Sequence, residues 1–375
     1  MNFDFSDDQK VLREHVRRFL SDKCPRSVVR RVLEDDQEPY AADVWKGLAE
    51  MGLMGTTIAE EYGGAGVGYL ELCIVAEELG RALAPVPFSS SVYLAAEAIK
   101  LAGSSAQKQT WLPRLAAGEI IGTLACAEGA TGPLLKSVHA SLIDGRISGR
   151  KVPVPDGDIA DVALVLVRSG ETGAGDLSLV LVDLKGSGVR RERLQTLDPT
   201  RSHAEIVFEN ARAELLGSAD TGAALIRELF NRAAVLLAFE QVGGADVALE
   251  MATGYAKERF AFGRPIGSFQ AIKHKLAEMY MRNTLARSHA YYGAWALCNN
   301  APELSLAAAA ARASACDAFD YAAKENCQTH GGMGTSWDAD CHLFYRRARL
   351  LSLALGSART WKDRLVSELE LQPAD

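Results

Sequence analysis

The stretch ERFAFGRPIGSFQAIKHKL, residues 258–276, crowds Arg259, Arg264, Phe260, Phe262, Phe269 and Gln270 around Gly263, Pro265 and Gly267. Guanidinium forks donate paired hydrogen bonds to oxyanions, and aromatic rings give a flat molecule a surface to lie on. The junction therefore suits an anion attached to something planar. Farther on, His330 stands beside Gly331 and Gly332. It reads either as a contact to a phosphate or as a packed, hydrogen-bonded histidine. Asp338 and His342 have the i, i+4 spacing of a metal-ligand pair on one helix, but no third ligand lies near them in sequence, so no metal is expected. Arg346, Arg347 and Arg349 read as a basic edge, solvated or facing another subunit.

These residues need elements to hold them, and the apolar spacing outlines those elements. In the first third, Val11, Leu12, Val16, Phe19 and Leu20 make one helical stripe, and Leu72, Val75, Ala76 and Leu79 make another. Ser6 followed three residues later by Gln9 marks a capped helix start. EEYGGAGVG, residues 60–68, reads as a flexible glycine turn between helices. From about residue 121 to 216 the period falls to two, with clusters such as VALVLVRSG, LSLVLVDL and AEIVFE. Asp144-Gly145 inside HASLIDGRISGR predicts a tight hairpin turn, since both residues tolerate positive φ. Beyond Thr221 the chain is helical again. The run from Ala224 to Arg259 fits a single helix of more than about 30 residues, against a usual ~12, and a helix that long needs neighbours on most sides. The expected architecture is α+β: a helical domain over 1–120, an antiparallel β-domain over 121–218 and a helical bundle over 219–375.

Bulk properties narrow the partners. The chain has 375 residues, 48% of them apolar, and a formal charge of −7. An acidic field repels nucleic acid and anionic membrane surfaces, so a chain that handles small molecules is expected, with neither of those as partner. Seven cysteines lie scattered in odd number without a C-x-x-C pair, which argues for reduced thiols in a cytoplasmic setting rather than a disulfide framework or a zinc site. No signal-peptide pattern opens the sequence and no apolar run is long enough to span a membrane.

Helix, sheet and helix in roughly equal thirds, with EEYGGAGVGYLELCIVAEELGRALAPVPF (60–88), RFAFGRPIGSFQAIKHKLAEM (259–279) and QTHGGMG (328–334) in order, resembles the flavin-dependent acyl-CoA dehydrogenase family over essentially the whole chain. The resemblance implies a C-terminal four-helix bundle and FAD-dependent α,β-dehydrogenation of an acyl-CoA thioester: a carboxylate takes the α-proton and the flavin takes the β-hydrogen as hydride. It further implies that Arg259, Phe262, Gln270, Gln328, Gly331 and Gly332 reach the dinucleotide end of a neighbouring chain's FAD. The pyrophosphate wants the arginine fork and bare backbone, and the adenine wants the ring.

Other positions depart from the family pattern. Where relatives hold the isoalloxazine with a segment like T-E-P-G-A-G-S, this chain reads AEGATGP (127–133), so Ala127 stands for a threonine and Pro133 for a serine. A W-I-T-N segment that covers the flavin is here PVPD (153–156), with Pro153 and Pro155 supplying neither indole nor hydroxyl. The glutamate base of most relatives falls at Leu355, and that of a minority at Ala233. Neither side chain can accept a proton. Glu240, two helical turns beyond Ala233, reads either as a relocated base or as a structural carboxylate. Residues 336–351 resemble the dehydrogenase-like chains of bacterial steroid and branched-chain degradation, several of which form mixed complexes. The expected partner is thus a homologous subunit in an α2β2 complex, this chain being the one without a base. The alternatives are a homotetramer using Glu240 and a non-catalytic acyl-CoA-binding homologue. The acyl group itself is not legible.

Overall fold

The computed structural model describes residues 6–35, 37–129, 137–169 and 177–371. The chain divides into two compact units. One holds the N-terminal residues to Val29, Tyr69–Ala84 and everything from Ala234 onward; the other holds Arg30–Gly68 and Pro85–Ala233. Among the described residues no helix is long and apolar enough to cross a membrane.

The helices come in order as α1 (Asp7–Lys23), α2 (Arg26–Glu34), α3 (Ala42–Glu50), α4 (Tyr69–Ala82), α5 (Glu97–Ala102) and α6 (Ser105–Ala116), then, after the sheet, α7 (Gly222–Glu258), α8 (Gln270–Cys298), α9 (Leu304–His330), α10 (Cys341–Leu353) and α11 (Ala358–Glu370). The expected capping box is formed: Gln9 N–H donates to Ser6 Oγ at 3.2 Å, and Ser6 N–H to Gln9 Oε1 at 3.0 Å.

In the first unit, α7 from Ala234 onward is the central rod. Residues 234–245 are buried without interruption, which a helix achieves only when other elements surround it. Glycine makes the tightest crossing possible. A Cβ on Gly80 of α4 would lie 1.9 Å from the Glu240 carbonyl oxygen, and one on Gly243 of α7 would lie 2.1 Å from that of Glu77. The two backbones therefore touch through reciprocal glycines. Alanines do similar work on α9, where Ala307, Ala308, Ala311, Ala315, Ala322 and Ala323 are all fully buried.

The second unit is built on an eight-stranded sheet ordered β6-β7-β3-β2-β4-β5-β8, with β1 also paired to β4. The strands are β1 (Gly122–Ala125), β2 (Ser141–Ile143), β3 (Arg146–Pro155), β4 (Val162–Ser169), β5 (Leu177–Asp183), β6 (Val189–Arg193), β7 (His203–Arg212) and β8 (Glu214–Leu216). Pairing is antiparallel except where β1 and β2 run parallel to β4. Val162 through Val167 are completely buried, which explains why β4 reads as a continuous apolar run rather than an alternation. The β2–β3 turn is the expected primed hairpin, with φ of 48° at Asp144 and 71° at Gly145.

One expectation changes. The 60–68 segment is pinned rather than flexible: Ala65 N–H donates to the Gly55 carbonyl, Gly66 to Ile58 and Val67 to Thr56, and a Cβ on Gly64 would sit 2.1 Å from the Ile58 oxygen. Its glycines are there for close backbone approach.

Candidate functional site

The arginine-aromatic junction folds as a miniature hairpin, β9 (Phe260–Ala261) paired with β10 (Arg264–Pro265), between the end of α7 and the start of α8. Phe262 and Gly263 form its two-residue tip at φ 54° and 77°, so a bulky aromatic occupies the left-handed region where glycine or asparagine is usual. Phe262 is 95% exposed and contacts the edge of Phe269 at a ring separation of 6.2 Å, and Arg264 lies over Phe269 at 4.1 Å. Arg259 and Gln270 are exposed. The Arg259 side chain meets no acidic partner among the described residues, whereas Arg264 is already committed to Phe269. A left-handed, solvent-exposed phenylalanine is a local cost of the kind that clusters at binding sites.

The other expected residues lie at the same end of this unit. α9 ends at His330, followed by a 3₁₀ turn, Gly331–Thr335. His330 stacks on Tyr255 of α7 at 4.2 Å and its Nδ1 lies 2.9 Å from the Asn326 carbonyl, which is the packed, hydrogen-bonded role. Lys275 of α8 pairs with Glu325 of α9 at 2.7 Å, joining the hairpin's helix to the turn's helix. Gly331 takes φ 60°, ψ −136°, open in practice only to glycine, and a Cβ on Gly331 or Gly332 would meet nothing within 4 Å. Gln328 is exposed beside them. Bare backbone facing open space, near an unengaged guanidinium and an exposed ring, fits a nucleotide's pyrophosphate and base, so these residues are compatible with FAD.

Two other expected positions are brought together in the second unit. Val152 N–H donates to the Ala127 carbonyl at 2.9 Å, so Ala127 and Pro153 sit on adjoining backbone segments. Neither offers a hydroxyl or an indole. Pro133 lies outside the described residues. Glu128 is fixed beside them: its carboxylate accepts from Lys151 Nζ at 2.6 Å, from His139 N at 2.7 Å and from Ala140 N at 3.0 Å. Lys151 is fully buried, and burial pulls its pKa down although Glu128 opposes. Burial works to raise Glu128, but the Lys151 ammonium and the two N–H groups outweigh it and hold the carboxyl low. No motif marks this pair, yet the alternation along β3, with Ile147 and Lys151 both on the buried face, is a visible sign of it.

Neither position that the family resemblance marks for a base carries a carboxylate. Leu355, just past α10, holds φ 60°. Ala233 is fully buried in α7. Glu240 is 1% exposed with its Oε1 3.7 Å from Arg347 Nη1, and Arg347 in turn reaches the Leu83 carbonyl at 3.3 Å. Arg347 was expected at a solvated or subunit-facing edge; at 1% exposure it is instead an interior cation, because α10 turns that face inward. Arg346 lies over Trp337 and Arg349 pairs with Asp320. A second buried arginine, Arg312, donates to Gln241 and to the Leu351 and Ala354 carbonyls, closing the end of α10 immediately before Leu355. The helical Asp338–His342 spacing is not formed, since α10 begins at Cys341; His342 Nε2 lies 3.1 Å from the Trp337 carbonyl. Among the described residues no group of three potential ligands could hold a metal ion.

Comparison with known proteins gives this arrangement a family. Residues 6–119 match the model of the acyl-CoA dehydrogenase N-terminal domain and residues 220–366 that of the C-terminal domain. Acyl-CoA dehydrogenase IpdE2 of Mycobacterium tuberculosis is 33% identical over 370 residues, covering 98% of this chain and 99% of its own. Among solved structures, a chain of the ChsE4-ChsE5 complex from Mycobacterium tuberculosis superposes with a TM-score of 0.88 at 28% identity, all of both chains covered. A chain of the steroid acyl-CoA dehydrogenase Tcur3481-Tcur3483 does so at 0.86 and 28%, covering 97% of this chain and 98% of its own. With both helical ends matched and a relative similar along its entire length, the chain belongs to the acyl-CoA dehydrogenase family, FAD-binding oxidoreductases that act on CH–CH groups.

Proposed function

We propose that this chain is the subunit of a heteromeric, α2β2 acyl-CoA dehydrogenase that lends the nucleotide-end clamp to its partner's FAD and carries no base of its own. The observation behind this reading is the opposition between the two kinds of site. Arg259, Phe262, Gln270, Gln328, Gly331 and Gly332 are exposed at one end of a helical unit, while Leu355 and Ala233 stand where relatives place a glutamate. When bound, FAD supplies the hydride acceptor. This chain's share is to bind and orient: Arg259 meets the pyrophosphate charge, the glycines let it approach the backbone, and Phe262 walls the adenine. Proton abstraction falls to a carboxylate on the partner. A steroid-derived or branched thioester is the proposed substrate class, from the likeness of residues 336–351 and the steroid relative.

The homotetramer reading needs Glu240 as the base, and its burial against Arg347 favours a structural carboxylate instead. The test is to purify the chain alone and together with a homologous partner, and to measure bound flavin and thioester dehydrogenation. The proposal expects both only in the mixed complex. Full flavin and turnover from the single chain would overturn it, and a colourless mixed complex that binds acyl-CoA would point to a non-catalytic homologue.

A further inference from the structure

The first unit contains a cavity of about 340 Å³ whose lining is rich in guanidinium groups. Arg17 and Leu20 reach it from α1, Arg26 from the start of α2, Glu78 and Arg81 from the last turns of α4, and Val247 from α7. Each arginine is held by one set of contacts and keeps another donor spare. Arg17 forks onto Glu78, Nε donating to Oε2 at 2.9 Å and Nη2 to Oε1 at 2.7 Å. Arg26 lies over the Phe344 ring at 4.8 Å and closes the end of α4, Nη1 donating to the Ala82 carbonyl at 2.6 Å and Nη2 to that of Arg81 at 3.0 Å. Arg81 Nη2 donates to the two carboxylate oxygens of Glu250 at 2.9 and 3.0 Å. Among the described residues nothing accepts from Arg17 Nη1, Arg26 Nε or Arg81 Nη1.

We propose that this cavity is a binding site for a small phosphate monoester. Three guanidiniums line it against a single carboxylate, Glu78, whose side chain is 1% exposed and already neutralised by the Arg17 fork. Glu250 draws on Arg81 from outside the lining, at 59% exposure, where water screens it. The field left in the cavity is positive. A phosphate monoester carries about −1.5 to −2 charges at neutral pH and three acceptor oxygens, each able to take a donor from guanidiniums arranged around it, whereas a carboxylate offers one planar edge. The volume lies at the lower end of small-molecule pockets, which run from about 300 to 1,000 Å³, and Leu20 and Val247 give an organic substituent apolar surface to rest on. Burial lowers the Arg26 guanidinium from its ordinary value, and an anion beside it would offset that desolvation. The site shares no residue with those expected to reach FAD, so it stands or falls separately from the proposed function.

The test titrates the full-length chain with glycerol 3-phosphate by isothermal calorimetry, beside inorganic phosphate and succinate. Glycerol 3-phosphate should bind at one site per chain, more tightly than inorganic phosphate, which lacks the organic part, and more tightly than succinate, which has the charge without the third oxygen. Arg81→Gln removes one guanidinium while Arg17 still holds Glu78, and should weaken binding roughly tenfold or more. Glu250→Gln releases Arg81 from its exposed competitor and should tighten binding. Val247→Trp fills the cavity without changing any charge and should abolish binding; should that variant fail to fold, the opposite responses of the two charge variants decide. No binding of glycerol 3-phosphate at low-millimolar concentration, equal affinity for inorganic phosphate or succinate, or a shift in the same direction for Arg81→Gln and Glu250→Gln would each overturn the proposal.

Discussion

At the level of single residues, the informative side chains are those in environments they ordinarily avoid. Phe262 presents its whole ring to solvent from a left-handed backbone, and Arg259 beside it lacks an acidic partner among the described residues. On the proposed reading, replacing Arg259 by Ala in the mixed complex would remove a charge-assisted contact of about 1.5–3 kcal/mol. Flavin affinity should then fall roughly tenfold to a hundredfold, read by titrating FAD into the stripped complex. Arg259→Lys should fall between, because an ammonium keeps the charge and loses the fork. Arg347 and Glu240 make the opposite case, two charges each 1% exposed. Arg347→Met leaves the Glu240 carboxylate buried against a methyl thioether, at a cost of about 3–5 kcal/mol in urea unfolding. Adding Glu240→Gln should return part of that stability, and no return would show that the two do not interact. Cys24 gives a pH handle. Its thiol is 3% exposed and burial raises it from 9.0 to about 11, with Arg26 and Arg347 pulling the other way. Between those values the unfolded chain gives up the proton and the folded chain keeps it, so stability is present below pH 9 and declines toward pH 11. A two-unit displacement is worth roughly 3 kcal/mol; the wild type should lose about that much more than Cys24→Ala across the window.

The elements show which features a sequence can and cannot announce. The long α7, the β2–β3 hairpin and the α1 cap each carry a local signature, whether unbroken helical apolar content, Asp144-Gly145, or Ser6 with Gln9, and each signature is satisfied within a few residues. The α4–α7 crossing has no such signature. Gly80 and Gly243 are far apart in sequence and look like ordinary helix-weakening glycines until the two backbones are seen in contact. Arg347 was misplaced for the same reason, since three arginines in a run look solvated and only the packing of α10 shows which of them faces inward. The exposed residues of the α7–α8 junction and the α9 end could be named from motif spacing, while Lys151 with Glu128 depends on a contact between separate segments. The crossing is testable. Gly243→Ala adds one methyl where the nearest atom is a backbone oxygen that cannot swing aside, so overpacking should cost about 1–3 kcal/mol or more. Gly254→Ala on the same helix, where a Cβ meets nothing within 4 Å, should be neutral or slightly stabilising through helix propensity. Equal effects at the two positions would mean that α4 and α7 do not approach through their glycines.

For the whole molecule the decisive quantity is the number of flavins per chain. A chain that both seats and clamps FAD gives one flavin per chain in a homo-oligomer. A chain that only clamps gives none alone and about one per pair when mixed with a partner that only seats. Analytical ultracentrifugation with detection at a flavin absorbance and at a protein absorbance separates these cases without reference to turnover. The two parts of the proposal, no base and no flavin seat, can be tested separately in the same way. Leu355→Glu places a carboxylate at the position the family resemblance marks for the base, on a backbone at φ 60° just after the Leu351 and Ala354 carbonyls that accept from Arg312. If the missing base were the only deficiency, this variant alone should bind FAD and dehydrogenate a thioester. On the proposed reading Ala127 and Pro153 supply neither the hydroxyl nor the indole that the family resemblance marks for the flavin ring, so the expected outcome is a folded, colourless and inactive variant. A yellow, active Leu355→Glu homo-oligomer would relocate the whole deficiency to one side chain and remove the need for a partner.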